Sequence, residues 1–288
     1  MYTYCVRFSG ITLRFRFPDD RVELPEELRA FACADEGTAD AEYDICLLRE
    51  PLRPAGAPFF VEGDAHIYRT DEGWLRIHTA LTAKDSCQVA CLLRPDGKNT
   101  LYYPASRWDF YAKPLHCLRL LAIEAVLLRQ NAFLLHSSVV HYGGKAVLFS
   151  GPSGMGKSTQ ARLWQKHLGA KVVNGDRALI QWRGGGFCAG GSPWAGTSGI
   201  YCPDSAPIAA IVLLQQAEEN RMERLGRQSF IPLFTQTVTN SWDEDFMQRI
   251  TDLFARLLEQ VPVYRLSCRP DEDSVRLAHR TIFGKEAP

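Results

Sequence analysis

The residues with the clearest chemistry in this chain form the stretch Gly151-Pro-Ser-Gly-Met-Gly-Lys-Ser158. The stretch matches the P-loop (Walker A) pattern G-x-x-x-x-G-K-[ST], in which glycines let backbone N–H groups turn toward a polyphosphate. We expect Lys157 to reach the β- and γ-phosphates and the Ser158 hydroxyl to bind Mg²⁺. The pattern predicts a nucleotide-binding protein. The residues expected at the nucleotide are Gly151, Pro152, Ser153, Gly154, Met155, Gly156, Lys157, Ser158 and Thr159.

The segments on either side of the motif have the pattern that a P-loop requires. The short apolar segment Ala146-Val-Leu-Phe-Ser150 before it predicts a buried strand. Residues 158–167 after it carry apolar side chains at helical spacing, and the N-terminus of such a helix attracts phosphate. Farther upstream, the apolar residues 133–140 are joined to the P-loop strand by a Gly143-Gly144 turn. This arrangement predicts a β-hairpin that leads into the motif.

A single acidic residue, Asp176, follows the P-loop helix within the turn sequence Asn174-Gly-Asp176. Phosphoryl transfer needs a carboxylate that completes the Mg²⁺ site or orients the acceptor hydroxyl, and Asp176 is the best candidate for both roles. The alternative is a turn aspartate that caps its own backbone. Arg177 comes next, and strand alternation predicts that its side chain points away from Asp176. A solvent-exposed Arg177 and a phosphate contact are therefore equally expected.

A second unusual stretch runs from Gly190 to Gly199, where small residues surround one tryptophan. A tryptophan is costly to expose, so Trp194 is expected to pack against other residues. We interpret the stretch as a lid over substrate or nucleotide, in which Ser192, Trp194 and Thr197, together with Arg177, are possible substrate contacts. The alternative is a mobile surface loop.

The overall composition excludes several classes of function. Lys and Arg number 33, as do Asp and Glu, so no global field favours nucleic acid or an anionic membrane. The chain has no apolar segment of transmembrane length and no signal-peptide pattern, which predicts a cytoplasmic protein. Most of the nine cysteines lie in apolar runs, as is typical of reduced thiols. A metal site that uses Cys87, Cys91 and Cys117 is a weak alternative.

The chain divides into two regions by pattern. Residues 1–110 contain short alternating apolar runs separated by turn signals, which predicts a mostly antiparallel β region with an accessory or substrate-recognition role. Residues 111–288 are expected to form the P-loop catalytic domain and to begin with a buried helix over 114–130. The predicted fold class is α/β (α+β).

Four further elements are expected downstream in the second region. Residues 246–260 and 271–281 have helical spacing, and residues 263–267 predict a strand between them. The apolar run 208–214 predicts a central strand, and it ends in glutamines. An ordinary P-loop NTPase would place a Walker-B acid at that point, so this class is disfavoured.

The ordered set of motifs resembles the HPr kinase/phosphorylase family. His136 opens the strand before the P-loop, the P-loop follows, and Asn174-Gly-Asp176 comes soon after its helix. The resemblance covers residues 133–182 clearly and the remainder only by element order. It implies a P-loop fold related to that of phosphoenolpyruvate carboxykinase, with ATP and Mg²⁺ as ligands and transfer of phosphate to a hydroxyl. It also implies that His136 acts in acid–base catalysis or lies near the phosphates.

One position departs from that family. Gly175 stands where the family usually has the first of two adjacent aspartates, so Asp176 matches only the second. We therefore keep two hypotheses. The first is an ATP-dependent kinase, with Asp176, His136 and Lys157 as catalytic residues and Ser158 and Asp176 as Mg²⁺ ligands. Its acceptor would be a hydroxyl on a small molecule, peptide or protein, and the resemblance suggests a homo-oligomer. The second is a non-catalytic ATP-binding partner in regulation or peptide maturation.

Overall fold

The structure, a computed structural model, describes residues 2–18, 26–78, 89–107 and 121–284. Contacts within the chain define two units, Met1–Val126 and Leu127–Pro288. The boundary predicted at 110/111 lies outside the described residues, as do Cys87, Cys117 and the first part of the helix predicted over 114–130. The part of this predicted helix that the structure describes is α2, Ile123–Arg129.

The first unit is built on one sheet of nine described strands, as the alternating runs predicted. The sheet order is β3-β1-β2-β4-β9-β8-β7-β6-β5. A short helix, α1 (Glu26–Arg29), precedes β3. The strands are β1 (Tyr2–Phe8), β2 (Ile11–Phe17), β3 (Ala32–Cys33), β4 (Ala41–Leu48), β5 (Phe60–Glu62), β6 (Ala65–Thr70), β7 (Gly73–His78), β8 (Val89–Leu93) and β9 (Lys98–Pro104).

Alternation along β2 and β4 separates a buried face from a charged one. Phe15 stacks on Tyr43 with ring centroids 5.3 Å apart, and both side chains are fully buried. On the other face, Arg14 and Arg16 donate hydrogen bonds to Glu42. The prediction of an antiparallel sheet was incomplete, because β2 pairs with β4 and β4 with β9 in parallel.

The second unit combines eight strands with the remaining helices. Its strands are β10 (Ala132–Tyr142), β11 (Lys145–Ser150), β12 (Lys171–Asn174), β13 (Arg177–Arg183), β14 (Gly186–Gly190), β15 (Ser205–Gln216), β16 (Arg221–Leu225) and β17 (Val263–Cys268). Its helices are α3 (Lys157–Leu168), α4 (Phe230–Phe234), α5 (Glu244–Gln260) and α6 (Glu272–Phe283). The described chain is thus a mixed α/β protein with large sheets.

Two long strands, β10 and β15, organise the second sheet. Its order is β11-β10-β13-β14-β15-β17-β16, β12 also pairs with β10, and β11 also pairs with β15. The predicted Gly-Gly hairpin is present, because β10 and β11 pair in antiparallel across Gly143 and Gly144. The predicted central strand is β15, which lies parallel to both β11 and β17.

Helices cover this sheet and pack against β11, the strand that leads into the P-loop. α3 and α6 pack over one part of it around Trp164, which is fully buried against Phe149. α5 packs elsewhere through apolar residues that include Phe254. Asp243 and Asp271 cap α5 and α6 by accepting bonds from backbone N–H groups three residues ahead. The helices and the strand predicted over 246–281 are therefore confirmed, with ends shifted by one or two residues.

Candidate nucleotide site

The P-loop connects β11 directly to α3, in the strand–loop–helix order that the sequence predicted. Gly154 and Gly156 have φ angles of 83° and 96°, a backbone conformation that side-chain-bearing residues rarely adopt. Gly156 is the N-cap of α3, and no side chain caps the helix. The first N–H groups of α3 therefore face the loop, where an anion would gain from them and from the helix dipole.

Lys157 is held inside the loop by the loop's own backbone. Its Nζ donates to the carbonyl oxygens of Gly151 and Pro152 at 2.9 and 3.0 Å. The residue is only 7% exposed. Burial lowers the pKa of its ammonium group, and the negative charge of Asp176 partly offsets this effect. The ammonium is thus held at the loop by two carbonyl groups.

The other expected P-loop residues differ in exposure. Pro152, Ser153 and Thr159 are exposed, and Ser158 is partly buried at the start of α3. Met155 packs against the core beneath α3. The Met155 side chain therefore anchors the loop to this core.

Strand β10 has three pairing partners around the point where the site is built. Residues 132–136 pair with β13, residues 137–142 pair with β11, and residues 139–141 also pair with β12. His136 lies opposite Arg177, and Ser137 lies opposite Ser150, the last residue before the P-loop. The Ser150 hydroxyl donates to the His136 carbonyl at 2.9 Å. This pairing and the Ser150 contact bring His136 to the start of the P-loop.

Asn174, rather than Asp176, caps the turn between β12 and β13. Its Oδ1 accepts from the backbone N–H groups of Asp176 and Arg177, both at 2.8 Å. Its Nδ2 donates to the carbonyl of Ser192 at 2.9 Å. Asn174 is fully buried. Because Asn174 satisfies the turn, the Asp176 carboxylate is available for contacts with other side chains.

Asp176 faces His136 and Arg177. Its Oδ1 lies 3.3 Å from His136 Nε2, and its Oδ2 lies 3.7 Å from Arg177 Nε. The contact with His136 holds the pKa of the Asp176 carboxyl below its ordinary value, and burial opposes this effect more weakly. The prediction that Arg177 points away from Asp176 was wrong, because residue 176 belongs to the turn and regular strand alternation starts only at 177.

The unusual stretch after β14 packs onto this turn. Ser192 is fully buried, and its hydroxyl donates to the Arg177 carbonyl at 2.5 Å, while its own carbonyl accepts from Asn174. Trp194 is partly buried, and its carbonyl accepts a second bond from Asn174 at 3.3 Å. The Ser192 hydroxyl is thus used in holding the loop to β13. The Thr197 side chain lies outside what the structure describes.

The same loop closes the space beside Gly175. A Cβ atom on Gly175 would lie 2.1 Å from Ser198 Oγ and 2.4 Å from Ser198 Cβ. A Cβ atom on Gly196 would lie 2.6 Å from the Cγ of Asp176. The loop therefore forms a close wall against the turn. Any residue larger than glycine at 175 collides with Ser198.

Two glutamines that the sequence did not single out as site residues also contact the site. Gln216 ends β15 and donates to the P-loop carbonyl of Gly154 at 3.1 Å. Gln236 follows α4, and its carbonyl accepts from the His136 backbone N–H at 2.8 Å. No local pattern identifies Gln236, since it is 100 residues away from His136 along the chain.

Metal-binding and membrane-spanning features were also part of the expectations. The described residues contain no group of three or more His, Cys, Asp or Glu side chains that could hold a metal ion. The seven described cysteines are free thiols. Within the same ranges, no helix is both long and apolar enough to cross a bilayer.

A comparison with protein-family models gives a match by sequence. A family model described as SynChlorMet cassette protein ScmC matches residues 115–270, more than half of the 288 residues. The comparison with curated proteins found no match. Among solved structures, the chain is similar to the Hpr(Ser) kinase/phosphatase from Coxiella burnetii, at 13% identity and a TM-score of 0.29. That similarity covers 52% of this chain and 93% of the other, and at this TM-score it supports no conclusion about function.

Proposed function

This chain belongs to the SynChlorMet cassette protein ScmC family, and we propose that it binds ATP and transfers the γ-phosphoryl group to a hydroxyl. The acceptor hydroxyl would belong to a small molecule or to a serine of a peptide or protein. The fold relation to HPr kinase and to phosphoenolpyruvate carboxykinase is part of the same proposal.

One observation carries the proposal. A buried lysine, fixed by two P-loop carbonyls at the N-terminus of α3, is close enough to the Asp176 carboxylate for each to affect the other's pKa. Phosphoryl transfer mainly requires that the protein place positive charge at the phosphates and a carboxylate near the acceptor. Lys157 and Asp176 supply these two groups from neighbouring elements.

The proposed roles follow from the chemistry of each group. Lys157 and the N–H groups of the P-loop would stabilise negative charge on the β- and γ-phosphates. Asp176 would orient the acceptor hydroxyl and take its proton as the new P–O bond forms and ADP leaves. Arg177, which lies beside the same carboxylate, would contact the transferred phosphate.

Mg²⁺ fits the oxygen donors at this site. The Ser158 hydroxyl and the Asp176 carboxylate are the hard ligands that Mg²⁺ prefers, and they leave most coordination positions to phosphate oxygens and water. β15 ends in glutamines at the position where other P-loop proteins offer a second carboxylate. We therefore expect the ion to enter bound to the nucleotide.

A second candidate function is a protein that binds ATP without turning it over. The observation that favours it is Gly175, where the space for a second acidic side chain is filled by Ser198. The one carboxylate that remains is already in contact with His136 and Arg177.

Binding and transfer are tested separately on the full chain. We expect calorimetry to detect ATP binding and expect Lys157→Ala to raise the Kd by about tenfold or more, since hydrogen bonds to charged groups contribute about 1.5–3 kcal/mol. Lys166→Ala is the matched control, because Lys166 is an exposed lysine on the same helix. Absence of ATP binding by the native chain would refute the proposal.

Transfer is then followed with γ-labelled ATP and a panel of small hydroxyl compounds and serine peptides. Asp176→Asn should retain ATP binding and lower labelling of the acceptor by about 10²–10⁴-fold, the range that general acid–base catalysis supplies. Tight binding with no labelled acceptor across the panel would instead support the non-catalytic function.

A further inference from the structure

Two cysteines face each other across neighbouring strands of the first sheet. Cys5 lies directly opposite Cys33 in the antiparallel register of β1 and β3, and both are free thiols. Opposite residues of an antiparallel pair point to the same face, with Cα atoms about 4.5–5.5 Å apart. Disulfides span Cα distances of about 4.4–6.8 Å. Among the described cysteines, these are the only two in register with each other.

Two ion pairs hold the chain after Cys33 against β1 and β2. The Asp35 carboxylate accepts two hydrogen bonds from Arg14, at 3.0 and 2.5 Å, and Arg14 is buried. Glu36 accepts two from Arg7, at 3.3 and 2.7 Å. Paired bonds from a planar guanidinium group restrict geometry as well as add energy. The position of Cys33 is therefore fixed on its C-terminal side.

Packing holds the residues before Cys33. The Phe31 carbonyl accepts from the Arg7 N–H at 2.8 Å. The buried Phe31 ring packs edge-on against Phe8, with ring centroids 6.0 Å apart. Because the chain is fixed both before and after Cys33, the Cys33 thiol stays beside Cys5.

The two thiols differ in their access to solvent. Cys5 is only 5% exposed, whereas Cys33 is partly exposed on the edge strand β3. Burial raises the pKa of both thiols, and the charge of Asp35 adds to this effect at Cys5 while that of Arg7 opposes it at Cys33. Both thiols stay mostly protonated at neutral pH, so neither is activated as a nucleophile. A reaction between them therefore depends on their proximity, and a reagent from solvent meets Cys33 first.

We propose that Cys33 and Cys5 form a site of reversible oxidation, at which a low-molecular-weight disulfide modifies Cys33 and Cys5 then completes an internal disulfide. In the first step, the deprotonated Cys33 sulfur attacks one sulfur of the compound. The S–S bond of the compound breaks, and the released thiolate takes up a proton. In the second step, the deprotonated Cys5 sulfur attacks the Cys33 sulfur of the mixed disulfide and displaces the second thiolate, which is protonated in turn. The two protein thiols are oxidised, and the compound is reduced to two thiols.

Closure requires a small movement, and the position of β3 allows it. The Cβ atoms of opposite residues lie about 4.5–5.5 Å apart, against about 3.5–4.5 Å in a disulfide, so they must approach by roughly 1 Å. β3 has two residues and ends the strand order of the described sheet, so no further strand of that order moves with it. The product ties β3 to β1 and closes the chain between positions 5 and 33 into a loop. Such a loop restricts the unfolded chain, so the bond favours the folded state.

Mass spectrometry of the full chain, equilibrated with reduced and oxidised glutathione and then quenched with acid, tests the site. Digestion after arginine and glutamate separates the nearby thiols, because Glu36 lies between Cys33 and Cys46. We expect a cross-linked pair of peptides that contain Cys5 and Cys33. The equilibrium constant for forming this bond should be about tenfold higher or more in the native chain than in the urea-unfolded chain. By the same linkage, oxidation should raise the urea concentration at the midpoint of unfolding.

Three variants identify the two sulfur atoms. Cys46→Ser is the matched control, because it removes another partly exposed thiol of the same sheet, and it should leave the bond and the shift of the midpoint unchanged. Cys33→Ser should abolish both, and Cys5→Ser should stop the reaction at a glutathione adduct on Cys33.

Three results would overturn the inference. They are a native chain that carries glutathione on Cys33 and never closes, a native chain that reacts at neither thiol, and a bond that forms no more readily in the native than in the unfolded chain. Both thiols lie in the first unit, and every readout concerns them alone. The outcome therefore does not depend on whether the chain binds ATP or transfers phosphate.

Discussion

Gly175→Ala is the substitution for which the structure gives the sharpest expectation. The added methyl group would lie 2.4 Å from Ser198 Cβ and 2.1 Å from Ser198 Oγ, whereas carbon atoms in contact lie about 3.5–4.0 Å apart. Rotation of the Ser198 side chain can relieve only the contact with Oγ. The loop backbone must therefore move by roughly 1 Å, as estimated from ordinary contact distances.

That movement would cost free energy through overpacking and through weakened hydrogen bonds. Overpacking of a closed site costs about 1–3 kcal/mol. The Ser198 hydroxyl also donates to the Ala195 carbonyl at 2.6 Å and accepts from the Ile200 N–H at 3.2 Å. Each such bond contributes about 0.5–1.5 kcal/mol. We expect Gly175→Ala to lower the free energy of unfolding by about 2–3 kcal/mol.

A double-mutant cycle tests whether the collision is the cause. Ser198→Gly alone should cost about 1–2 kcal/mol, because both hydrogen bonds of the hydroxyl are removed. Gly175→Ala combined with Ser198→Gly should cost little more, because the colliding atoms are gone. The interaction energy between the two substitutions would then be about 2 kcal/mol, whereas independent sites give a value near zero. Ser198→Ala keeps Cβ and should give only partial relief.

The assay is urea unfolding of the full chain, followed by tryptophan fluorescence, at constant m-value. Two results would refute the reasoning. One is a Gly175→Ala variant within about 0.5 kcal/mol of the native protein, as for an ordinary surface substitution. The other is strict additivity in the cycle.

Two other predictions concern charged groups. Because the contact with His136 lowers the folded-state pKa of Asp176, that contact stabilises the protein above the unfolded pKa, and the stabilisation is lost as the pH falls through the folded value. The free energy of unfolding of the native chain should therefore fall more steeply than that of Asp176→Asn between about pH 5 and pH 3, and equal slopes would contradict this. Asp271→Ala removes the cap of α6 and should lower the free energy of unfolding, measured in urea, by about 1–2 kcal/mol. Asp273→Ala, which changes an exposed residue in the same turn, should leave that free energy almost unchanged. Equal losses in the two variants would contradict a capping role for Asp271.

Local pattern predicted much of the framework that holds the site. The P-loop needs glycine conformations and a strand–loop–helix order, and both are determined by residues 146–167. The Gly143-Gly144 turn sets the register of β10 against β11 in the same local way. Strand alternation also separated the buried and charged faces of β2 and β4. These features depend on neighbours in sequence, so they can be read from spacing.

Features that depend on distant contacts could not be predicted in this way. The parallel pairing of β2 with β4 requires a crossover, and period-two alternation is the same for parallel and antiparallel strands. Asn174 and Asp176 are equally suited to cap a turn by residue type. Only the buried contacts of Asn174 with the loop after β14 show that it does so. Gln236, which follows α4, contacts His136 only through tertiary packing, and no periodicity in the sequence predicts such a contact.

The loop after β14 accounts for the glycine at position 175. Gly175 is glycine because Ser198 occupies the space of its side chain, and Ser198 is held there by a loop that Asn174 and Ser192 fasten to β13. The single carboxylate and the closed loop are one structural feature. A second acid could not be introduced by Gly175→Asp alone, because the aspartate Cβ would meet the same two Ser198 atoms. Only together with Ser198→Gly would the chain have room for a paired-acid site.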